Sequence, residues 1–442
     1  MTRGEQMAKR TRTFVTVAAA ALLGLALTAW AAPSSLDARV DALVARFAPD
    51  AIEIRHRLHQ NPELGNRETK TAALVAEKLR ALGLEPRTGI AHTGVVAVLK
   101  GGKPGPLIAV RADMDALPVT EDTDLPFKST ARSTYLGQDV GVMHACGHDI
   151  HVAVQLGVAS ILTAIKDQVP GTIQFIFQPA EEGAPPGEQG GAELMLKEGI
   201  WKDAKPKAVF GLHVNAQTEV GQIWYNPGPT MAAADMFRIL IKGTPAHGAR
   251  PELSVDPVVV ASQAVLALQT IRSRNVSPFA PFVLTIGTIR GGQRNNIIPE
   301  EVELRGTVRT FDAKVQDLVE RRMREVLDGV TKSAGASYAL EYERQYPVTI
   351  NDPALTGATL PSLVRAIGEK NLRIDLPHTG AEDFSFYANE TPGFFYFLGG
   401  LKPGTVSGDH HTPTFRMDDS AIPVGMRAMS FVVLDYLQRR TP

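Results

Sequence analysis

The sequence contains almost no cysteine and no excess of charge of either sign. Its 442 residues include a single cysteine, which excludes a disulfide framework within the chain. With 46 basic and 47 acidic residues the net charge is -1, so the composition gives no indication of a nucleic-acid-binding surface. The remaining composition, 44% hydrophobic and 21% charged, is typical of a soluble globular protein long enough for two domains.

One long apolar run is present, and it lies near the beginning of the chain. A basic stretch, residues 9–12, precedes an apolar run from Phe14 to Trp30, and alanines flank Trp30. This pattern predicts a signal peptide over residues 1–32, with cleavage near Ala31 or Ala32, and therefore a periplasmic or secreted protein. The alternative is an uncleaved membrane anchor, because the run is close to the length that spans a bilayer.

The single cysteine lies in the densest polar motif of the chain, which reads Met-His-Ala-Cys-Gly-His-Asp-Ile-His from Met143 to His151. A thiolate beside imidazoles and a carboxylate is a ligand set for zinc or a neighbouring transition metal. An unpaired thiol in an exported protein also needs an explanation, and metal ligation supplies one. The alternative is a buried structural cysteine beside solvated histidines.

Further polar side chains follow predicted strands. Asp115 follows a strand at 107–110, Glu181 and Glu182 follow a strand at 172–177, and His213 follows a strand at 208–212. Adjacent carboxylates repel each other unless a cation or a shared proton relieves them. Taken alone, His213 reads as a core histidine, but five such groups at one sheet edge predict a two-metal site. The candidate ligands are Cys146, His148, Glu182, His213 and His411, with Glu181 and Asp115 nearby.

The order of the predicted elements indicates an α/β fold with an insertion. Strands and helices alternate through residues 33–226 and return in residues 348–442, which predicts a largely parallel sheet flanked by helices on both faces. Residues 227–347 read as strand, helix, two strands, helix and strand, which is the ferredoxin-like (βαββαβ) order. We therefore expect a catalytic domain interrupted by a second compact domain.

Eight motifs follow one another along most of the chain. They begin at Arg111 (RADMDALP), His144 (HACGHD), Gln178 (QPAEEG), Gly211 (GLH), His247 (HGARP), Asn296 (NIIP), Thr379 (TGAEDF) and His411 (HTP). In this order they resemble the metal-dependent amidohydrolase and carboxypeptidase family that contains hippurate hydrolase, N-acyl-amino-acid amidohydrolases and plant IAA-amino acid hydrolases. The resemblance implies a zinc-peptidase-like catalytic domain with a mixed β-sheet, carrying an inserted ferredoxin-like lid or dimerisation domain.

The resemblance also implies roles for individual residues. By this resemblance, Cys146 would bridge two metal ions, and Glu181 would be the general base. The other metal ligands would be His148, Glu182, His213 and His411. Asp115 matches a carboxylate that orients a ligand. His247 on the lid would stabilise the oxyanion, from its own or a partner subunit, and Asn296 is a candidate for holding substrate. The alternative for Asn296 is an ordinary turn residue.

Two positions depart from the pattern or leave it ambiguous. Glu252 and the two residues after it follow the His247 motif where a second His or Gln and a Gly are expected, which puts the lid contact in doubt. His410 and His411 are adjacent, so the ligand could be either one. The family's His-Thr-Pro or His-Ser-Pro motif favours His411.

The implied enzyme is a metal-dependent hydrolase of amide bonds in N-acyl amino acids or small peptides, similar to hippurate hydrolase. Its cofactor would be two divalent ions, for which zinc, manganese, cobalt and nickel all suit the mixed ligand set. The expected partners are a small-molecule substrate and a second copy bound through the lid. Neither nucleic acid nor a stable membrane anchor after cleavage is expected.

Three other readings remain open at this stage. One is a specialised deacylase for N-acetyl- or N-succinyl-diaminopimelate, and export argues against that biosynthetic role. Another is a non-catalytic periplasmic binding protein of the same fold, against which the intact Glu181 argues. The third is a cysteine hydrolase using Cys146, which would leave Glu181, Glu182 and His411 without a task. The acyl group, the amino acid and the metal are not fixed by the sequence.

Overall fold

The computed structural model describes residues 35–439, so the predicted signal peptide, residues 1–32, lies outside the described residues. In the described range, no helix combines the length and the apolar character needed to cross a membrane. The α-helices of this range are α1 Ser35–Gln60, α2 Thr69–Ala81, α3 His148–Ala164, α4 Gly191–Lys197, α5 Pro257–Thr270, α6 Ala313–Ala334, α7 Pro353–Ile367, α8 Phe384–Glu390 and α9 Ala421–Gln438.

The strands of the same range are β1 Arg87–Ile90, β2 Gly94–Lys100, β3 Lys103–Asp113, β4 Arg132–Tyr135, β5 Gln138–Gly141, β6 Pro170–Gln178, β7 Val209–Glu219, β8 Ile223–Tyr225, β9 Gly228–Met231, β10 Ala233–Lys242, β11 Ala246–His247, β12 Phe282–Gly291, β13 Ile297–Ile298, β14 Glu301–Thr310, β15 Ser337–Tyr346, β16 Thr349–Asn351, β17 Leu372–Ile374 and β18 Gly393–Leu401.

The main sheet has eight strands in the order β1-β2-β6-β3-β7-β18-β8-β17. Its four central neighbours, β6, β3, β7 and β18, run parallel, whereas β2 and β8 join them in antiparallel pairs. The prediction of an α/β fold with a mixed sheet flanked by helices is confirmed. The parallel centre matters for function, because the carboxyl ends of these strands meet at one edge.

Strand β18 explains why the sheet must be covered on both faces. Phe394, Tyr396 and Leu398 pack into the core shared with α1, α3 and α9, while Phe395 and Phe397 pack into a second core with α4 and α8. Successive strand side chains point to opposite faces, so a strand of consecutive aromatic residues is apolar on both faces and must be buried on both. Helices therefore cover both sides of the sheet.

The residues from β10 to β15, 233–346, form a unit of their own that we call the inserted unit. Its four strands make an antiparallel sheet in the order β12-β14-β10-β15, and α5 and α6 pack on it around a separate apolar core. Asp256 and Asp312 cap the two helices by accepting hydrogen bonds from main-chain N–H groups. The element order is the βαββαβ order expected from the sequence. The exact domain bounds and the role of a lid stay predictions.

A buried ionic network ties α1 to the start of α3. The Arg55 guanidinium donates to Asp149 Oδ2 at 3.1 Å, and His59 Nδ1 lies 2.9 Å from the same oxygen. The other ring nitrogen of His59 lies 3.2 Å from Glu121 Oε1. Because Asp149 directly follows His148 in α3, this network fixes the first turn of the helix that begins the candidate site.

The charge state of His59 predicts a pH dependence of stability. Burial opposes protonation, but hydrogen bonds to Asp149 and Glu121 outweigh it and raise the pKa of His59 to about 9. A raised pKa stabilises the fold fully below the unfolded pKa of about 6.5, and this contribution is lost as pH rises through about 9. We expect the free energy of unfolding of the wild type to fall by a few kcal/mol between these pH values.

The matched variant is His59→Gln, which retains hydrogen-bonding groups but cannot titrate. Chemical denaturation from pH 6 to pH 10 should show a clearly shallower decrease in unfolding free energy for this variant than for the wild type. Equal slopes for the two proteins would contradict a protonated His59 in the folded state.

Candidate metal centre

The candidate site forms where the central parallel strands end. Strand β3 ends at Asp113, β6 ends at Gln178 just before the Glu181–Glu182 pair, and β7 carries His213. Helix α3 begins at His148, immediately after the turn that contains Cys146. The strand order places these segments side by side, so the predicted convergence of the ligands at one edge of the sheet is present.

The turn between Cys146 and His148 depends on glycine. Gly147 has a φ of +90°, and a Cβ atom at this position would lie 2.4 Å from Cγ2 of Val214. Any L-residue would therefore meet both backbone strain and a steric clash. The cysteine and the histidine consequently sit on the two sides of one sharp turn and face the same space.

Five groups of side chains among the described residues bring their ligand atoms within 4.8 Å of one another, and two of these groups contain Cys146. One consists of Cys146, His148 and His213, and the other of Cys146, Glu182 and His411. Because Cys146 belongs to both groups, its position suits the bridging role expected from the sequence. Nε2 of His148 is buried without a hydrogen-bond partner among the described residues. A buried imidazole nitrogen needs a partner, and a cation bound between this nitrogen and the Cys146 sulfur would supply one.

Neighbouring groups orient these ligands. Asp115 Oδ1 lies 3.3 Å from His148 Nδ1, and its other oxygen accepts a 2.9 Å hydrogen bond from the Glu182 main-chain N–H. His213 Nδ1 donates to the Val214 carbonyl at 2.7 Å, which leaves its Nε2 unprotonated at 3.4 Å from Cys146 Sγ. Contacts of this kind fix the tautomer of a ligating histidine. Asp115 thus occupies the place expected of an orienting carboxylate.

The two adjacent histidines, His410 and His411, face different neighbours. His411 Nε2 lies 3.0 Å from Glu182 Oε1 and belongs to a ligand group. His410 Nε2 accepts from the Ala216 N–H at 3.3 Å, and its Nδ1 lies 3.5 Å from Cys146 Sγ. A neutral histidine that accepts at Nε2 carries its proton at Nδ1, so His410 can donate to the thiolate. This geometry supports the assignment of His411 as the ligand.

Glu181 is buried beside this cluster. Its Oε2 lies 3.9 Å from His148 Nε2, and its side chain also faces Glu382 and Asp383. Burial, followed by the charges of Glu382 and Glu182, raises the pKa of Glu181 well above its usual value. A raised pKa makes the ionised carboxylate a stronger proton acceptor, and bound cations next to it would favour that ionised form. The position of Glu181 is therefore suited to the role implied by the resemblance.

A buried arginine balances these carboxylates. Arg111 donates from Nη1 to Asp113 Oδ2 at 2.6 Å, and from Nη2 to Glu382 Oε1 at 2.9 Å and Asp383 Oδ1 at 2.8 Å. Its Nε donates to Gln178 Oε1 at 2.9 Å. The sequence identified the motifs that contain these residues but assigned them no contact. The pairing spans more than 270 residues of sequence, so no local pattern predicts it.

The state of the thiol bears on the alternative of a cysteine hydrolase. Burial, followed by the charges of Glu182 and Glu181, raises the pKa of Cys146 well above its usual value. Burial also lowers the pKa of His213, the nearest imidazole, so that it stays neutral. A neutral thiol beside a neutral imidazole is a poor nucleophile, whereas bound cations favour the thiolate. The environment of Cys146 favours metal ligation.

A cavity of about 810 Å³ opens above this cluster, between the main sheet and the inserted unit. Cys146, Glu181 and His411 line it from below, and Arg309 and Tyr346 line it from the inserted unit. A volume of this size accommodates a small-molecule substrate.

The structure does not bring two predicted residues to this cavity. His247 ends β11 and Asn296 directly precedes β13 in the short β11–β13 ribbon of the inserted unit, where the Gly248 N–H donates to the Asn296 carbonyl at 2.9 Å. Neither belongs to the described residues that line the cavity. Their predicted contact with substrate therefore requires a rearrangement or a second copy of the chain, and their roles stay predictions.

Two overlapping ligand groups, a buried carboxylate base and a substrate-sized cavity give the chain the parts of a metal-dependent hydrolase. The chain belongs to Peptidase family M20/M25/M40, whose sequence pattern matches residues 109–435. The resemblance noted in the sequence is thus confirmed, and the protein is a hydrolase of amide bonds.

Individual relatives are similar over most of the chain. Thermostable carboxypeptidase 2 of Saccharolobus solfataricus is 38% identical over 87% of this chain and 95% of its own. N-acetyl-L-cysteine deacetylase of Bacillus subtilis is 40% identical over 84% of each chain. The crystal structure of the Bacillus subtilis YXEP protein, described as a dinuclear metal binding peptidase from the M20 family, superposes with a TM-score of 0.74 at 33% identity, covering 89% of this chain and 99% of that one. The two-metal prediction is confirmed at this level.

Proposed function

We propose that the protein hydrolyses the amide bond of N-acyl amino acids in a dinuclear metal centre, with Glu181 as the general base. The observation that carries the proposal is the burial of Glu181 beside two ligand groups that share Cys146. The likeness to a deacetylase of an N-acyl amino acid and to a carboxypeptidase supports a substrate with an amide next to an amino-acid carboxylate.

The residues of the chain divide the chemistry among them. When bound, the two divalent ions supply Lewis acidity and make water a stronger acid at neutral pH. Glu181 takes the proton from the attacking water and delivers it to the nitrogen of the leaving amino acid. Asp115 keeps His148 and Glu182 in their ligating orientations. The surrounding cavity holds the substrate so that its carbonyl faces the ligand cluster.

Arg309 supports an anionic substrate. It lies near the end of β14, is partly buried, and lines the same cavity as Glu181. No ion pair within 4.0 Å joins it to a carboxylate of the described residues, and the carboxylate whose charge acts on it is Asp235. A guanidinium in a cavity that has no close ion pair is suited to bind the carboxylate of an N-acyl amino acid through paired hydrogen bonds.

The test is a substrate panel measured with metal-loaded enzyme. It contains N-benzoylglycine (hippurate), N-acetyl amino acids, small peptides and the same N-acyl amino acids with the carboxylate blocked as an amide. We expect hydrolysis of the free acids and poor hydrolysis of the blocked ones, because Arg309 then lacks its partner. Arg309→Leu should raise KM for the free acids by about 10- to 100-fold, the loss of a hydrogen bond to a charged group.

Arg305→Leu, which removes an exposed arginine of the same strand, is the matched control and should leave KM unchanged. Equal turnover of acids and blocked acids would contradict carboxylate recognition. The ranking of the free acids by their acyl group would show whether the enzyme prefers the benzoyl group of hippurate, as hippurate hydrolase does.

We also propose that two copies associate through the inserted unit. Helix α5 exposes Val258, Val259 and Leu266, and the edge strand β12 exposes Val283 and Ile289. Exposed apolar side chains on neighbouring elements are typical of an interface. A second copy could also bring the exposed ribbon with His247 and Asn296 to the cavity of the first.

Sedimentation equilibrium tests the association. We expect a mass about twice that of one chain for the wild type and a monomer for Leu266→Glu. Ile374→Glu, which changes an exposed isoleucine of the main sheet, should remain dimeric. A monomeric wild type with full activity would exclude a partner's contribution to the site.

Export of the protein remains a proposal that is supported by the basic stretch and apolar run of residues 1–32. The mass of the protein recovered from a periplasmic fraction should correspond to cleavage near Ala31 or Ala32. Recovery of the full-length chain in the membrane fraction would favour the anchor.

A further inference from the structure

The loop that carries the proposed base is held through three successive backbone groups. The Ala180 N–H donates to Glu68 Oε1 at 2.8 Å, the Glu181 carbonyl accepts from the Tyr346 hydroxyl at 2.7 Å, and the Glu182 N–H donates to Asp115 Oδ2 at 2.9 Å. Ala180 has a φ of +50°, which is rare for a residue other than glycine. The loop is therefore fixed in an unusual conformation by side chains from three distant segments.

Tyr346 comes from a different part of the chain than Glu68 and Asp115, the other two side chains that hold the loop. It is the last residue of β15, the edge strand of the inserted sheet, whereas Glu68 and Asp115 belong to the main unit. Its ring packs edge to face with Phe386 of α8 at 6.3 Å between ring centroids. The ring is thus anchored on the main unit while its backbone pairs with Ala234 of β10.

Two other tyrosines on the same strand provide a comparison. The Tyr342 hydroxyl donates to Asp235 Oδ2 at 2.6 Å, and the Tyr338 hydroxyl donates to Asp328 Oδ1 at 2.8 Å. Both partners lie within the inserted unit. Of these three tyrosines on β15, Tyr346 is the one whose hydroxyl reaches the loop of the base.

The direction of the Tyr346 hydrogen bond is fixed by chemistry. A main-chain carbonyl can only accept, so the phenol must donate its proton to the Glu181 oxygen. Burial, and then the nearby carboxylates of Asp383 and Glu181, raise the pKa of Tyr346, which keeps the phenol protonated at neutral pH. The contact is therefore a permanent tie between the inserted unit and the backbone of Glu181.

We propose that Tyr346 is a positioning residue for Glu181. Its hydroxyl holds the Glu181 carbonyl, so the position of the base depends on the position of the inserted unit. The inference rests on the proposed function, in which Glu181 moves the proton. Side chains of a base act over hydrogen-bond distances, and a displacement of about 1 Å lowers a rate by about 100-fold. Loss of one of three ties is expected to produce a displacement of this order or less.

The test compares Tyr346→Phe with Tyr342→Phe in the full-length, metal-loaded protein. Each variant loses one hydroxyl from the same strand and keeps its ring. We expect Tyr346→Phe to lower kcat by about 10- to 100-fold, with KM changed by less than about 2-fold and with the same metal content as the wild type. Tyr342→Phe should keep the wild-type kcat, even if its melting temperature falls by as much as that of Tyr346→Phe.

A double-mutant cycle separates positioning from general destabilisation. In Glu181→Asp the carboxylate is already withdrawn by one methylene group, so adding Tyr346→Phe should lower kcat by clearly less than it does in the wild type. Equal losses in both backgrounds, or a kcat for Tyr346→Phe equal to that of Tyr342→Phe, would overturn the proposal. An inactive wild type would instead refute the proposed function, so the two failures are distinguishable.

Discussion

Replacing Glu181 with alanine is expected to lower kcat for N-acyl amino acid hydrolysis by about 10²- to 10⁴-fold, the usual contribution of a general base. The variant should still bind its metal, because the two ligand groups share Cys146 and do not need the Glu181 carboxylate. Its stability should not fall, since the change removes a buried carboxylate that Glu382 and Glu182 repel.

Steady-state kinetics together with metal analysis measures this prediction. Glu193→Ala, which removes an exposed carboxylate of the nearby helix α4, is the matched control and should retain wild-type kcat. Full loss of metal in Glu181→Ala would mean that Glu181 is a ligand. Retention of wild-type kcat would mean that another group acts as the base.

The second large effect concerns stability. Arg111→Met leaves Asp113, Glu382 and Asp383 buried without their cation, whereas methionine fills much of the same volume. Removing one partner from a buried ionic cluster destabilises a protein by about 3–5 kcal/mol. We expect a loss of this size in the free energy of unfolding, measured by chemical denaturation, and reduced catalytic activity, because Glu382 and Asp383 border Glu181.

Arg305→Met is a suitable control, because it removes an exposed arginine that pairs with Glu303. An exposed pair contributes about 0–1 kcal/mol, so this variant should unfold almost like the wild type. If both variants lose the same small amount, the buried cluster does not stabilise the fold in the way that its contacts indicate.

The elements that could be predicted from the sequence are those with a long periodic signal. The amphipathic period from Leu36 to Leu58 predicts a helix, and α1 occupies Ser35–Gln60. The aromatic run from Phe394 to Leu398 predicts a strand, and β18 occupies Gly393–Leu401. The apolar pattern predicts a helix that starts at about His151, but α3 begins three residues earlier, at His148. The glycine before it, rather than apolar periodicity, sets this start. Strands of three or four residues, such as β1 and β8, carry too short a pattern to be recognised.

The site was predictable to the extent that its residues follow strands. Glu182 could be expected at the edge of the main sheet where the site lies, because it follows β6, one of the parallel strands that end together. The predicted strand end at residue 212 is wrong, because β7 continues to Glu219 and carries His213 inside it, and Cys146 precedes α3 instead of following a strand of this sheet. Contacts that depend on tertiary packing could not be foreseen, among them the Arg111 cluster and the Tyr346 tie to Glu181. His247 and Asn296 show the converse. Motifs in the sequence identified both residues, but they could not indicate that the β11–β13 ribbon lies away from the cavity.

The measurement that bears most directly on a metal-dependent amidohydrolase is the hydrolysis of N-acyl amino acids, hippurate included, by the same preparation before chelation, after chelation and after readdition of a divalent metal. We expect activity to disappear with the metal and to return with about two ions bound per chain, and Glu181→Ala to stay inactive at the same metal content. Bound metal without turnover of any substrate would favour a binding protein of this fold. Activity that is indifferent to the chelator would contradict a catalytic metal centre at Cys146, His148, Glu182, His213 and His411.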